Sequence, residues 1–192
     1  MNRRIVSLLL LSLAACSAEK PAFKAIDITG ATYAGKLALP DADGKPRTLD
    51  EFRGKVAVVF FGFTQCPDVC PTAMAEIADA RQRLGADGAK VQPIFVSVDP
   101  ERDTPEVLKA YVAAFGEGVV ALRGNLEQTT AAAKEFKVFF AKVLGKDAGS
   151  YTIDHTAGLY VFDPQSKVRL FVRHGAGGEA LAQDVKLLLG GA

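Results

Sequence analysis

An α/β fold with a central mixed sheet flanked by helices is what this sequence predicts, and three observations carry the prediction. Residues 55–63 and 91–98 are two apolar strand-like runs. An unbroken apolar run such as 55–63 reads as a central strand covered on both faces. The segments between the strands carry apolar residues at helical spacing, so strands alternate with helices and imply a parallel sheet. Near the C-terminus the alternation gives way to two strands in succession and a last helix, which adds an antiparallel section.

The elements follow in order. Residues 37–40 and 47–49 flank Asp43-Gly44, which supplies the turn of an N-terminal β-hairpin. Strand 55–63 leads into a helix over 71–84, where Met74, Ile77, Ala78, Arg81 and Leu84 recur at helical spacing. Strand 91–98 ends in Asp99-Pro100, and Thr104-Pro105-Glu106 opens the next helix with a capping hydroxyl and proline at its first position. A short strand over 119–122 precedes a helix over 126–136. Residues 151–162 contain a strand centred on 158–162; Asp163-Pro164-Gln165-Ser166-Lys167 turns it into strand 168–172, and residues 179–189 close the chain as a helix.

The first twenty residues read as an export signal. Met1-Asn2-Arg3-Arg4 is a basic start, and residues 5–15 are apolar apart from Ser7 and Ser12. The run is shorter than the roughly 20 residues a membrane-crossing helix needs. It ends in Leu13-Ala14-Ala15-Cys16, which resembles the lipobox of bacterial lipoproteins, where the cysteine is lipidated and becomes the new N-terminus. The alternative is an ordinary signal cleaved near Ala15 with Cys16 incidental. The division expected is a signal over 1–15, a lipidated N-terminus and tether over 16–35, and one domain over 36–192. The location expected is a bacterial cell envelope, lipid-anchored to a membrane on its extracytoplasmic side.

Composition narrows the classes. The 177 residues left after position 15 suit one domain with a substantial core. The whole chain carries +1; without Arg3 and Arg4 the balance is 21 basic to 22 acidic residues. No basic patch of the kind nucleic acid demands is present, so no nucleic-acid partner is expected. Of three cysteines, lipidation of Cys16 would leave the exported domain with Cys66 and Cys70, in a compartment that tolerates disulfides.

The chemistry is concentrated in Phe63-Thr64-Gln65-Cys66-Pro67-Asp68-Val69-Cys70-Pro71, where a buried strand gives way to a helix. A cysteine pair in that place is where thioredoxin-like folds carry theirs, and a thioredoxin-like fold is the one expected here. Two thiols so placed form a disulfide or hold a soft metal ion. Pro67 and Pro71 restrict the loop, and a helix N-terminus favours anionic sulfur, which is expected to lower the thiol pKa. Two thiolates suit Cu(I); a third ligand is needed for Cu(II) or zinc. The chain has two histidines. His155, just before an apolar strand, is the better candidate, because in a thioredoxin-like fold the loop preceding the late strand approaches the cysteine loop. His174 in Arg173-His174-Gly175 reads as a surface residue. Asp154 is a candidate to orient His155 or its backbone, Asp68 to shape the loop, and Phe63 to line the site. Asp99 and Asp103 admit a carboxylate site but read better as a strand end and a helix start.

Three segments together resemble the Sco/SenC family: Gly62-Phe63-Thr64-Gln65-Cys66-Pro67-Asp68-Val69-Cys70-Pro71, Val96-Ser97-Val98-Asp99-Pro100-Glu101-Arg102-Asp103-Thr104-Pro105 and Asp154-His155-Thr156. That family comprises membrane-tethered, thioredoxin-like copper proteins that serve assembly of the binuclear copper site of cytochrome c oxidase. The resemblance implies that Cys66, Cys70 and His155 bind copper, Cu(I) and Cu(II), and that Cys66 and Cys70 also cycle to a disulfide. It implies as partners the copper subunit of the oxidase, or another copper acceptor, and a periplasmic copper donor. Gln65 stands where many relatives carry another polar residue. The anchor here looks like lipid, whereas many relatives use a transmembrane helix. A competing reading is a thiol–disulfide oxidoreductase that reduces the cysteines of the oxidase copper subunit. A peroxidase and a structural zinc site are weaker, the last because structural zinc normally takes four ligands.

Overall fold

The computed structural model describes residues 22–192. The export signal, Cys16 and the first part of the tether lie outside the described residues. The strands are β1 Ile26–Asp27, β2 Ala38–Pro40, β3 Pro46–Thr48, β4 Val56–Gly62, β5 Val91–Ser97, β6 Val120–Leu122, β7 Phe140–Leu144, β8 Tyr151–His155, β9 Gly158–Phe162 and β10 Val168–Arg173. The helices are α1 Val69–Arg83, α2 Pro105–Ala113, α3 Leu126–Glu135 and α4 Gly178–Leu189.

A six-stranded sheet runs in the order β1-β10-β9-β4-β5-β6. β4, β5 and β6 are parallel, in register from Val56↔Val91 to Gly62↔Ser97. β9 joins the other edge of β4 antiparallel, followed by β10 and β1, also antiparallel. Every residue of β4 and β5 is buried, as an unbroken apolar run at the sheet centre requires. The predicted mixed sheet with an antiparallel section is therefore the architecture found. Phe60, Phe61, Phe63, Phe95, Phe136 and Phe162 fill the core around β4. Helix α1 buries Ala73, Met74, Ile77 and Ala80 and packs on α4 and β4; α2 packs against β6 and α3 against β2.

The structure adds detail to the predicted order of elements. The segment read as tether contributes β1, and buried Asp184 of α4 accepts the amides of Lys24 and Ala25, each at 2.8 Å. Residues 140–155 form a second hairpin, β7 against β8, outside the main sheet. The first hairpin, β2–β3, closes through Gly44 in the left-handed region at φ 78°, and Leu49 begins a 3-10 turn instead of extending β3. Helix α1 starts two residues earlier than its apolar spacing suggests, which brings Cys70 into its first turn.

Candidate metal centre

The site stands at the carboxyl ends of parallel β4 and β5, the edge where open α/β sheets build their binding crevices. β4 ends at Gly62, Phe63 turns inward, and the Cys66 amide donates to the Phe63 carbonyl at 3.3 Å. Asp68 takes the N-cap position of α1, so it shapes the helix start without a side-chain capping bond to a helix amide. The Cys70 amide, one of the unpaired donors of the first turn, donates to Cys66 Sγ at 3.3 Å. That bond turns the exposed arm of the loop back over the helix start and brings the two sulfurs to one point.

Cys70 is fully buried and Cys66 partly so, both as free thiols. Gly62 makes room for Cys70. A Cβ at position 62 would stand 2.7 Å from Phe60 Cε1, 3.0 Å from Cys70 Sγ and 3.1 Å from a Phe95 ring carbon. The expected lowering of thiol pKa fails at Cys70. Burial pushes it up, and the neighbouring Cys66 thiol adds to the rise. Desolvation here outweighs the partial positive charge of the helix N-terminus. Cys70 therefore holds its proton until something replaces it.

The topology delivers the imidazole. β9 runs antiparallel to β4, so its first residues pair with the last ones of β4, Leu159 opposite Phe60. His155, three residues before Gly158, thus hangs over the cysteine loop. Its Nε2 stands 3.4 Å from Cys70 Sγ. Its Nδ1 stands 3.1 Å from the Thr156 carbonyl. A carbonyl only accepts, so Nδ1 carries the hydrogen and the Nε2 lone pair faces the sulfurs. The rings of Phe60 and Phe63 meet the imidazole edge-on, each with centroids 5.9 Å away. Burial lowers the His155 pKa, which favours the neutral ring. Asp154 is exposed and raises that pKa by its charge; the hydrogen bond that fixes the ring is donated by its own Nδ1 to the Thr156 carbonyl.

Cys66, Cys70 and His155 offer donor atoms that all lie within 4.8 Å of one another, and among the described residues they are the one such group of His, Cys, Asp or Glu. His174 stands apart, exposed in the loop after β10.

Asp103 and Asp99 are more than a helix start and a strand end. Asp103 is fully buried, and its carboxylate accepts from Thr64 N at 3.2 Å, Thr64 Oγ1 at 2.6 Å and Ser97 Oγ at 2.5 Å. It ties the residues leading to Cys66 to the end of β5. Asp99, also buried, accepts from Arg102 Nε and from the Tyr151 hydroxyl at 2.8 Å. The sequence carries no local signal for this, because a charged turn is an ordinary solvated feature and the long-range partners lie 39 and 52 residues away.

The SCO1/SenC family pattern matches residues 27–190. A SCO2-like protein of Rickettsia felis is 34% identical over 165 residues, 84% of this chain and 80% of that one. The structure of Bradyrhizobium japonicum ScoI with copper bound superposes with a TM-score of 0.72 at 38% identity, covering 80% of this chain and 97% of that one. A SCO1/SenC family lipoprotein from Bacillus anthracis superposes with a TM-score of 0.64 at 30% identity, over 80% and 92% of the two chains. BsSco, a member of the Sco family of cytochrome c oxidase assembly proteins with a disulfide switch, does so at 0.63 and 26% identity, over 86% and 98%. With the family pattern spanning the sheet, the cysteine loop and the histidine strand alike, this chain belongs to the SCO1/SenC family.

Proposed function

We propose that this protein binds copper through Cys66 Sγ, Cys70 Sγ and His155 Nε2 and serves assembly of the binuclear copper site of cytochrome c oxidase. The observation that carries the reading is the convergence of two thiols and one correctly protonated imidazole within 4.8 Å. The donor chemistry fits. Thiolate sulfur selects Cu(I), and imidazole beside thiolate suits Cu(II) as well. Donors sharing one ion at about 2.0–2.3 Å stand up to about 4.5 Å apart, near the spacing found here. Three ligands fall one short of a structural zinc site. The copper-bound Bradyrhizobium relative supports the choice of metal.

The chain's own groups divide the work. Cys70 and Cys66 give up protons as the ion arrives. Phe60, Phe63 and Phe95 exclude water from the Cys70 side. Cys66 is the more accessible sulfur, so an acceptor thiol enters on its side and takes the cargo by ligand exchange. A copper donor in the same compartment would load the site by the reverse exchange.

One observation favours a second reading. The thiols are free, and the Cys66 sulfur already lies against the Cys70 amide, so the pair is placed to close a disulfide. In that reading the two thiols pass two electrons and two protons to a disulfide of the oxidase copper subunit. The disulfide switch of BsSco supports it. Anaerobic copper titration of the reduced protein, beside His155→Ala, separates the two, since dithiol exchange does not need the imidazole.

The anchor belongs to the same proposal. Cys16, at the end of Leu13-Ala14-Ala15-Cys16, would be lipidated and hold the domain on the outer side of a bacterial membrane. No helix among the described residues is long and apolar enough to cross a membrane. The lipoprotein of Bacillus anthracis supports a lipid tether.

A further inference from the structure

The strand that carries His155 is not part of the main sheet. β7 and β8 pair only with each other, and among the described residues no backbone hydrogen bond joins 140–155 to the central sheet. The hairpin is seated by side chains, and the turn at 99–102 supplies the polar ones. Arg102 Nη1 donates to the Tyr151 carbonyl at 2.8 Å, and its guanidinium lies 3.6 Å from the centroid of the Tyr151 ring. Asp99 holds both partners, accepting from Arg102 Nε and from the Tyr151 hydroxyl. Glu101 pairs with Lys142 of β7 at 2.6 Å, and Lys142 covers the Tyr151 ring at 4.6 Å. Arg102 also faces the ring of Phe63 at 5.8 Å, the same ring whose edge meets His155.

We propose that Arg102, braced by Asp99 and clasping Tyr151, is a positioning residue for His155: it docks the β7–β8 hairpin so that the imidazole reaches the thiols. The geometry supplies the reason. Tyr151 and His155 are the two ends of β8. Four residues of strand make a lever of roughly 13 Å. Released at Tyr151, that lever is held only at its other end, where Thr156 N donates to the Phe139 carbonyl at 2.9 Å and the chain passes into β9; tilt or twist there re-aims the imidazole, while metal–ligand distances tolerate only about 0.2 Å. The clamp is a planar fork on a carbonyl and a carboxylate with a ring beneath it, a geometry lysine does not reproduce. Cys66 lies in the loop after β4 and Cys70 in the first turn of α1, and neither thiol is hydrogen-bonded to Arg102, Asp99 or Tyr151.

The inference rests on the proposed copper site, and its test keeps the two apart. Arg102→Ala, Arg102→Lys and Tyr151→Phe are compared with wild type in two readings. The first is amide hydrogen exchange of residues 140–155 in the metal-free reduced protein. The second is electron paramagnetic resonance and visible absorption after Cu(II) addition, with Cu(I) affinity alongside. Arg102→Ala is expected to speed exchange in the hairpin by about tenfold or more, the scale of losing charge-assisted hydrogen bonds. It should also lose the nitrogen signature of the Cu(II) form, with Cu(I) affinity within about threefold of wild type. Arg102→Lys should rescue only in part, and Tyr151→Phe should fall between wild type and Arg102→Ala. A wild-type Cu(II) spectrum in Arg102→Ala overturns the proposal, whether or not exchange quickens. If wild type itself shows no nitrogen ligation, the copper reading fails. The clamp is then judged on the metal-free protein, by hairpin exchange and by ring contacts between His155 and Phe63 in nuclear magnetic resonance; unchanged values overturn it. Should Arg102→Ala not fold, the same readings on Tyr151→Phe decide.

Discussion

Cys70 Sγ and His155 Nε2 stand 3.4 Å apart although 85 residues separate them in the chain. Each residue is set by its own stretch of chain, and the sheet brings the two stretches together. Cys70 is fixed by the first turn of α1 at the end of β4, and His155 by the antiparallel return of β9 along that same strand. The contact therefore exists only in the finished sheet, and its chemistry is a property of the fold.

The two thiols are expected to differ in reactivity. Burial raises the Cys70 pKa and closes it to solvent, whereas Cys66 is partly exposed. Alkylation of the reduced, metal-free protein near pH 7.5 should modify Cys66 at least about tenfold faster than Cys70, read by mass spectrometry of the peptides. Oxidation to the Cys66–Cys70 disulfide should abolish copper binding. An oxidised protein that binds as tightly as the reduced one contradicts the shared site.

Two groups of the site contribute to the pH dependence of the metal-free protein. His155 has a lowered folded pKa, so below about pH 6.5 the unfolded chain takes up a proton that the folded chain refuses, and stability falls as pH drops. Cys70 has a raised folded pKa. Above about pH 8.5 the unfolded chain loses the thiol proton first, and stability falls as pH rises. Denaturation midpoints should show His155→Ala with a shallower acid limb than wild type, and Cys70→Ser with a shallower alkaline limb. Parallel limbs in wild type and variant count against the burial argument.

Gly62→Ala should destabilise the protein by about 1–3 kcal/mol, because the new methyl meets two packed rings and the Cys70 sulfur. It should also weaken copper binding, since the new methyl would stand 3.0 Å from the Cys70 sulfur, one of the proposed ligands. Urea denaturation and copper titration of the same variant check both effects. An unchanged midpoint would mean that the cavity around Cys70 yields more easily than its burial suggests.

The main sheet was legible because β4 and β5 are buried on both faces and leave unbroken apolar runs, and because Thr104-Pro105 marks the start of α2 as a capped helix. The meeting of His155 with the cysteine loop was legible once the fold class placed the strand after it beside β4. The β7–β8 hairpin was not. Its residues are mostly exposed, and it lacks a third strand, so no burial pattern advertises it. Arg102 and Asp99 escaped for a different reason. A turn-forming Asp-Pro reads as local structure, and its long-range partner Tyr151 lies 52 residues from Asp99.

The anchor has its own check. Mass spectrometry of the mature N-terminus should show an acylated Cys16 and no residues 1–15. Retention of those residues, or an unmodified cysteine, contradicts the lipid tether.

The most direct test of the central claim is Cu(II) uptake by the reduced protein, followed by visible absorption and electron paramagnetic resonance, in wild type, His155→Ala and His174→Ala. Two thiolates satisfy Cu(I), so His155→Ala should lower Cu(I) affinity only modestly. Cu(II) asks for more ligands and oxidises thiolates that hold it poorly. The account predicts that His155→Ala loses the thiolate charge-transfer band, with conversion to Cu(I) and disulfide, while His174→Ala keeps it. A wild-type Cu(II) spectrum in His155→Ala would contradict the account: if His174→Ala then loses the band the third ligand is the other histidine, and if both variants keep it the site is a dithiol alone and dithiol exchange moves ahead of copper delivery.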